Sequence, residues 1–226
     1  MYEKYLKRPL DFFLSLCALI VLSPVILVLT VVGAFAMKGN PFFTQLRPGK
    51  DEKIFRLIKF RTMTCEKDSD GNFLPDDIRL TKYGKFLRST SLDELPELFN
   101  ILKGDMAVVG PRPQLVRDMV FMTDTQRLRH TVRPGLSGLA QVNGRNAIKW
   151  ENKLAFDLEY IENVTFFGDI RIIFETLIKV FKRENINDEN METAEDFGDY
   201  LLRTGAVTED DYRQNLAESL LLMKGK

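Results

Sequence analysis

The longest apolar stretch in the chain runs from Phe12 to Met37 and contains no charged residue. As one straight helix it would extend roughly 39 Å at 1.5 Å per residue, against a hydrocarbon core of about 30 Å, so the pattern predicts a membrane-inserted helix. Basic residues precede the run and Ala34-Phe35-Ala36 resembles a signal-peptide cleavage site. The apolar core of a signal peptide, however, is only roughly 7 to 15 residues, so the segment is expected to stay in the mature protein. Ser23 and Pro24 fall at the middle of the run, where proline removes a helical hydrogen bond and predicts a sharp bend. Each half would then be roughly 18 to 21 Å long, enough to enter one leaflet and return. Lys4, Lys7 and Arg8 precede the run and Lys38, Arg47 and Lys50 follow it, which draws both flanks toward the cytoplasm. A hairpin hinged at Ser23 and Pro24 satisfies both flanks. Proline also occurs in spanning helices, and the residues alone leave the tilted span open.

After the membrane element, residues 1–38, Asn40-Pro41 starts a soluble body that occupies residues 39–183. Short β-type runs at Pro41 to Gln45 and Ile54 to Met63 predict a small hairpin. Cys65 to Asp77 is polar, with Asp70-Gly71 and Pro75, and reads as a surface loop. Leu87 to Lys103 reads as helix in its second half, stopped by Gly104. Gln114 to His130 has the spacing of one amphipathic helix, with Leu115, Met119 and Met122 on its apolar side. From Ile170 to Arg183 the residues Ile170, Ile173, Phe174, Leu177, Ile178 and Phe181 form one stripe. Such a helix fits a membrane interface or a domain core equally well. Residues 184–226 read as an acidic linker followed by a helix from about Glu209 to Met223.

Composition narrows the classes. The 226 residues carry 32 Lys plus Arg and 32 Asp plus Glu, so whole-chain charge gives no reason to expect nucleic acid as a partner. Cys17 and Cys65 form neither a disulfide framework nor a metal-ligand spacing, as suits a reducing compartment.

The segment Arg88-Ser-Thr-Ser-Leu-Asp93-Glu94-Leu-Pro96 concentrates the chemistry. Ser91 followed by Glu94 matches a capping box, which needs no catalysis. Pro96 points instead to a helix starting later, with Leu95 extended. Asp93 and Glu94 would then sit just before a helix N-terminus, able to stay ionised, hold a divalent metal and leave one oxygen free to attack phosphorus. Candidate phosphate-binding cations are Lys59 in Lys-Phe-Arg-Thr-Met63, Arg88, and Arg112 in Gly110-Pro-Arg-Pro113. A structural ion pair is the competing reading for each. The run Arg133-Pro-Gly-Leu-Ser-Gly-Leu-Ala-Gln141-Val-Asn143-Gly144-Arg145 combines glycines that permit close backbone approach with amide and guanidinium groups. Gln141, Asn143 and Arg145, with Pro113 beside Arg112, are the candidate nucleotide and sugar contacts; a plain turn-rich connection is the alternative. The sole histidine, His130, lies outside these motifs and is expected to be structural.

The ordered set of Ser23-Pro24, Phe43-Thr-Gln-Leu-Arg47, Lys59 to Met63, Ser91 to Pro96, Gly110 to Pro113 and Arg133 to Arg145 resembles the monotopic phosphoglycosyl transferases, the bacterial sugar transferase family. The coverage, about Lys4 to Arg183, is similar to that of the small, minimal members, such as the initiating enzyme of bacterial N-linked glycosylation. The resemblance implies an α+β fold with an N-terminal re-entrant membrane helix, a mostly helical cytosolic domain with interfacial amphipathic helices, and a small β-hairpin. It implies the bacterial cytoplasmic membrane as location, a UDP-sugar donor, a polyprenyl phosphate acceptor and Mg²⁺ held by Asp93 and Glu94. In such enzymes the aspartate matching Asp93 attacks the β-phosphate, releases UMP and carries the phosphosugar until the acceptor takes it. The tail beyond about Gly198 is longer than a minimal member needs and leaves a homodimer contact open.

Overall fold

The computed structural model describes residues 1–144, 148–182 and 195–224. A π-helical turn, Tyr2–Leu6, leads into helix α1 (Lys7–Ala36), the one helix among the described residues long and apolar enough to cross a membrane. Pro24 lacks the N–H that would bond the Ile20 carbonyl, and the Ser23 hydroxyl donates to that oxygen at 2.8 Å instead. The pair therefore interrupts the hydrogen-bond ladder without ending the helix. A single narrow face of α1 is buried: Lys7, Asp11, Ser15, Leu19, Leu29 and Gly33. The rest points outward, with Phe13, Ile20, Val21, Leu27, Val28 and Phe35 exposed.

Both ends of α1 are fastened to the body. Arg8 donates to the carbonyls of Ile101 and Leu102 at 2.6 and 2.9 Å, and Asp11 accepts from the Val108 N–H. Far along the helix, the Tyr83 hydroxyl donates to the Leu29 carbonyl at 2.7 Å. Between these points Leu19 packs with Phe55, Leu57, Leu98, Ile101 and Met106.

The hairpin is present, as strands β1 (Phe42–Pro48) and β2 (Ile54–Phe60) in antiparallel register from Phe42 opposite Phe60 to Pro48 opposite Ile54. The polar loop that follows leads into helices α2 (Asp76–Arg79) and α3 (Lys82–Thr90). A 3₁₀ turn, Leu92–Glu94, precedes α4 (Glu97–Lys103), which ends at Gly104 with φ +102°, the left-handed conformation expected of a glycine C-cap.

Strand β3 (Ala107–Val109) pairs in parallel with β4 (Gly135–Ser137). Here the glycines serve a purpose other than ligand approach. A Cβ on Gly135 would lie 2.0 Å from the Gly110 nitrogen, and one on Gly138 2.2 Å from the Gly110 oxygen, so these residues let two backbone segments touch each other. Between the strands, the single helix expected over Gln114 to His130 is instead two short ones, α5 (Val116–Met119) and α6 (Asp124–Arg127), with a 3₁₀ turn at Leu128–Thr131. Thr123 and Gln126 form a capping box that starts a new helix in mid-run. Asp118 is buried and accepts from the backbone N–H groups of Leu115 and Phe197.

Helices α7 (Leu139–Val142), α8 (Trp150–Glu162) and α9 (Phe166–Lys182) complete the body. Asp169, buried near the start of α9, accepts from Lys7 at 2.5 Å, Tyr2 at 2.7 Å and Tyr160 at 2.8 Å. The α9 stripe divides: Ile173 packs inward beside buried Ile172, which the stripe had not included, while Ile170, Phe174, Leu177 and Ile178 join Phe166 and Phe167 on an exposed apolar face. Residues 184–194 of the linker expected before Glu209, and the Phe181 side chain, lie outside the described residues. The helix expected from about Glu209 is present as α11 (Glu209–Lys224), but the stretch before it, read as linker, holds a further helix, α10 (Phe197–Arg203). Both pack on Phe121 and Trp150.

Candidate active site

A buried amide builds the centre. Asn100 on α4 donates to the Arg56 carbonyl at 2.8 Å and accepts from the Ile58 N–H at 3.1 Å, pairing with the free edge of β2 as a strand would. This fixes the start of α4 beside Lys59. Its ammonium lies 2.8 Å from Glu94 and 3.0 Å from Glu97. Arg112 reaches the same Glu94 oxygen at 2.7 Å. The Arg112 backbone is itself held, because Arg129 donates to its carbonyl at 2.6 Å while Arg47 donates to the next carbonyl, Pro113, at 3.1 Å.

The capping-box reading fails. Ser91 adopts φ +56° with no side-chain cap bond, and the Glu94 carboxylate is bound to cations instead of a backbone N–H. Leu95 is helical, at φ −54° and ψ −37°, not extended, so the 3₁₀ turn runs straight into Pro96 and α4. On the other side, α3 packs closely on Thr62, where a Cβ on Gly84 would come within 1.9 Å of the Thr62 oxygen. Arg88 donates to the Thr62 hydroxyl at 3.1 Å.

These groups open onto one cavity of about 1010 Å³. Lys59, Arg88, Asp93, Glu94, Arg112, Pro113 and Gln141 all line it. Asn143 does not; it is exposed and bonds the Leu139 carbonyl. Arg145 lies outside the described residues. Several lining groups were missed in the sequence: Glu97, Arg47, Trp150, Lys153 and the tail residues Glu195 and Asp196. Glu97, one turn after the acid pair, carried a signal in its spacing; Trp150 and the tail carried none.

The electrostatics divide the three acids. Burial, reinforced by the neighbouring Glu94 charge, pushes Asp93 up to about 6. Burial would raise Glu94 too, but Arg112 and Lys59 overcome it and hold Glu94 far below the usual carboxylate range. Glu97, more deeply buried and beside Glu94, is pushed up to about 7. Asp93 accepts no hydrogen bond among the described residues. It is a carboxylate close to the titration point, lining a cavity, with Arg88, Lys59 and Arg112 near enough to act on it.

Among the described residues no group of three or more His, Cys, Asp or Glu side chains is arranged to hold a metal. Mg²⁺ seldom needs one; it commonly takes one or two carboxylates together with substrate phosphates and water. Asp93 is unbonded, and Glu94 uses a single oxygen for both its cations, so the pair fits that role. His130 sits elsewhere, buried beside Glu52 in a small separate pocket, and burial and Arg129 push it down to about 4.

A family profile described as bacterial sugar transferase matches residues 2–183. The chain belongs to that family. This sugar transferase is 47% identical over 192 residues to the sugar transferase EpsL of Bacillus subtilis, covering 85% of this chain and 95% of that protein. It is 43% identical over 185 residues to the UDP-glucose:undecaprenyl-phosphate glucose-1-phosphate transferase of Klebsiella pneumoniae, covering 77% of this chain. The undecaprenyl-phosphate galactose phosphotransferase of Salmonella typhimurium is 36% identical over 203 residues, 80% of this chain. The match spans only 40% and 42% of the last two proteins.

Proposed function

We propose that this sugar transferase moves a sugar phosphate from a UDP-sugar to polyprenyl phosphate through a covalent intermediate on Asp93, at the cytosolic face of the bacterial cytoplasmic membrane. The carrying observation is Asp93 itself: an unbonded carboxylate in a cavity, beside a second acid already neutralised by Lys59 and Arg112. One Asp93 oxygen attacks the β-phosphorus and forms an acyl-phosphate bond. The bond from that phosphorus to the bridging oxygen breaks, and UMP departs with the electron pair. A phosphate oxygen of the acceptor then attacks the same phosphorus and Asp93 leaves as a carboxylate. Glu94 stays ionised throughout and keeps Lys59 and Arg112 aligned on the cavity, while Arg88 faces Asp93. Mg²⁺, held by Asp93 and Glu94, would supply further charge neutralisation at the phosphates.

The same reading has α1 enter and leave by one leaflet. Support comes from its fastenings: Arg8 and Asp11 at one end and Leu29 at the other are bonded to the single body that carries the cavity. A helix crossing to the far side would separate them. The exposed apolar faces of α1 and α9 are surfaces for lipid.

Incubating detergent-solubilised protein with radiolabelled UDP-sugar and no acceptor tests the chemistry. Label is expected on Asp93 with one UMP released per label. Release of UDP, or unlabelled protein in a preparation that turns over with acceptor, overturns it.

A further inference from the structure

The cations around Asp93 are largely occupied. Lys59 is bound by Glu94 and Glu97, and Arg112 by Glu94. A nucleoside diphosphate sugar brings two phosphates, so the cavity needs positive charge beyond these pairs. Four other lining cations meet no carboxylate in an ion pair among the described residues, Arg47, Arg61, Lys153 and Lys179, and Arg112 acts on Arg47 and Lys153. Arg47 spends its terminal nitrogens on the Pro113 carbonyl and the Gln45 side-chain oxygen, and its Nε is buried without a partner. Half-buried Lys153 lies with its ammonium 4.9 Å from the centre of the Trp150 ring. Both feel the charge of Arg112, which places them at its end of the cavity.

Lys153 stands on a platform made by the tail. The Trp150 indole N–H donates to the Glu195 carbonyl at 3.1 Å, and its ring packs on Phe197 at 4.9 Å between centroids. The Phe197 N–H donates to Asp118 at 2.9 Å, and Arg117 pairs with Asp196 at 2.8 Å. All three tail residues lie beyond residue 183, where the family match ends.

We propose that Arg47 and Lys153 grip the phosphate of the departing nucleoside monophosphate, and that the Glu195–Phe197 segment positions Lys153 through Trp150. The inference rests on the donor reading above. It divides the cavity between an end where the transferred phosphorus reacts at Asp93 and an end where Arg47 and Lys153, set among Asp118, Asp157 and Asp196, hold the nucleotide half.

Equilibrium binding of UMP to the full-length protein in lipid nanodiscs, with donor and acceptor kinetics alongside, tests it. Lys153→Met should weaken UMP binding about tenfold or more, the scale of a lost charge-assisted bond. Donor KM should rise by a similar factor with acceptor KM unchanged, and Lys153→Arg should restore most of the affinity. Trp150→Leu should weaken UMP binding, and Lys153→Met added to it should cost much less than it does alone. Should Arg47→Gln disturb the hairpin, the Lys153 pair still decides the matter. Equal UMP affinity for wild type and Lys153→Met overturns the grip, and full additivity with Trp150→Leu overturns the role of the tail. Failure of the wild type itself to bind UMP would remove the uridine donor reading, a result distinct from both.

Discussion

Two acid–base clusters in this protein look alike in composition and differ in completeness. Arg129 and Asp157 form a sealed pair whose side chains are 1% and 2% exposed, with two guanidinium nitrogens on one carboxylate oxygen and a bond left over for the Arg112 carbonyl. The cluster at Lys59 gathers Asp93, Glu94 and Glu97, keeps Glu94 18% and Arg112 41% exposed, and leaves Asp93 unbonded. The first is finished by the fold. The second is finished only by something that enters the cavity, and the contrast separates a support from a site more clearly than charge alone.

The sharpest way to break the comparison is Asp93→Asn. Activity should fall about a thousandfold or more, as for loss of a covalent nucleophile. The melting temperature at pH 8 should hold or rise. Asp93 titrates above its unfolded value, so its stabilising contribution belongs to low pH and is lost as pH climbs through about 6. A large drop in melting temperature would make Asp93 structural.

Asp157→Asn should do the reverse. It strands a buried guanidinium, at a cost of about 3–5 kcal/mol, and should lower the denaturation midpoint in step with activity. A stable, inactive variant would place Asp157 in the chemistry.

Asn100→Ala should be milder, about 1–3 kcal/mol for the unpaired edge of β2, with activity falling further than stability because the register of Glu94 and Glu97 against Lys59 loosens. Equal effects on both would show that Asn100 only supports the core.

Smallest is the pH effect. The rate of labelling by donor alone should be flat above neutrality and fall by about tenfold per unit below pH 6, as Asp93 takes up its proton. A limb near pH 4 would mean that the neighbouring cations outweigh burial.

Local rules revealed the elements whose signals are local. The β-hairpin, the glycine stop at Gly104, the helix at 209–224 and the cluster of Asp93 and Glu94 with Lys59 and Arg112 each rest on neighbouring residues or on a family pattern. What escaped depends on contacts across long stretches of chain. Asn100 finds Arg56 and Ile58, Arg129 finds Asp157, and Asp118 finds Phe197. A buried Asn and a surface Asn look the same in sequence. The glycines at 135 and 138 were legible as places of close approach, but the approaching partner, Gly110, is set by the fold.

The two fastenings of α1 have a mechanical consequence. With Arg8 bound to one part of the body and Leu29 to another, helix and body cannot swivel about a single tether; they tilt and bob together. On the proposed single-leaflet insertion, the mouth of the cavity would ride at one height above the acyl chains. An anchor of this kind should respond weakly to bilayers of different thickness, which a spanning helix must accommodate by tilting or stretching its surroundings.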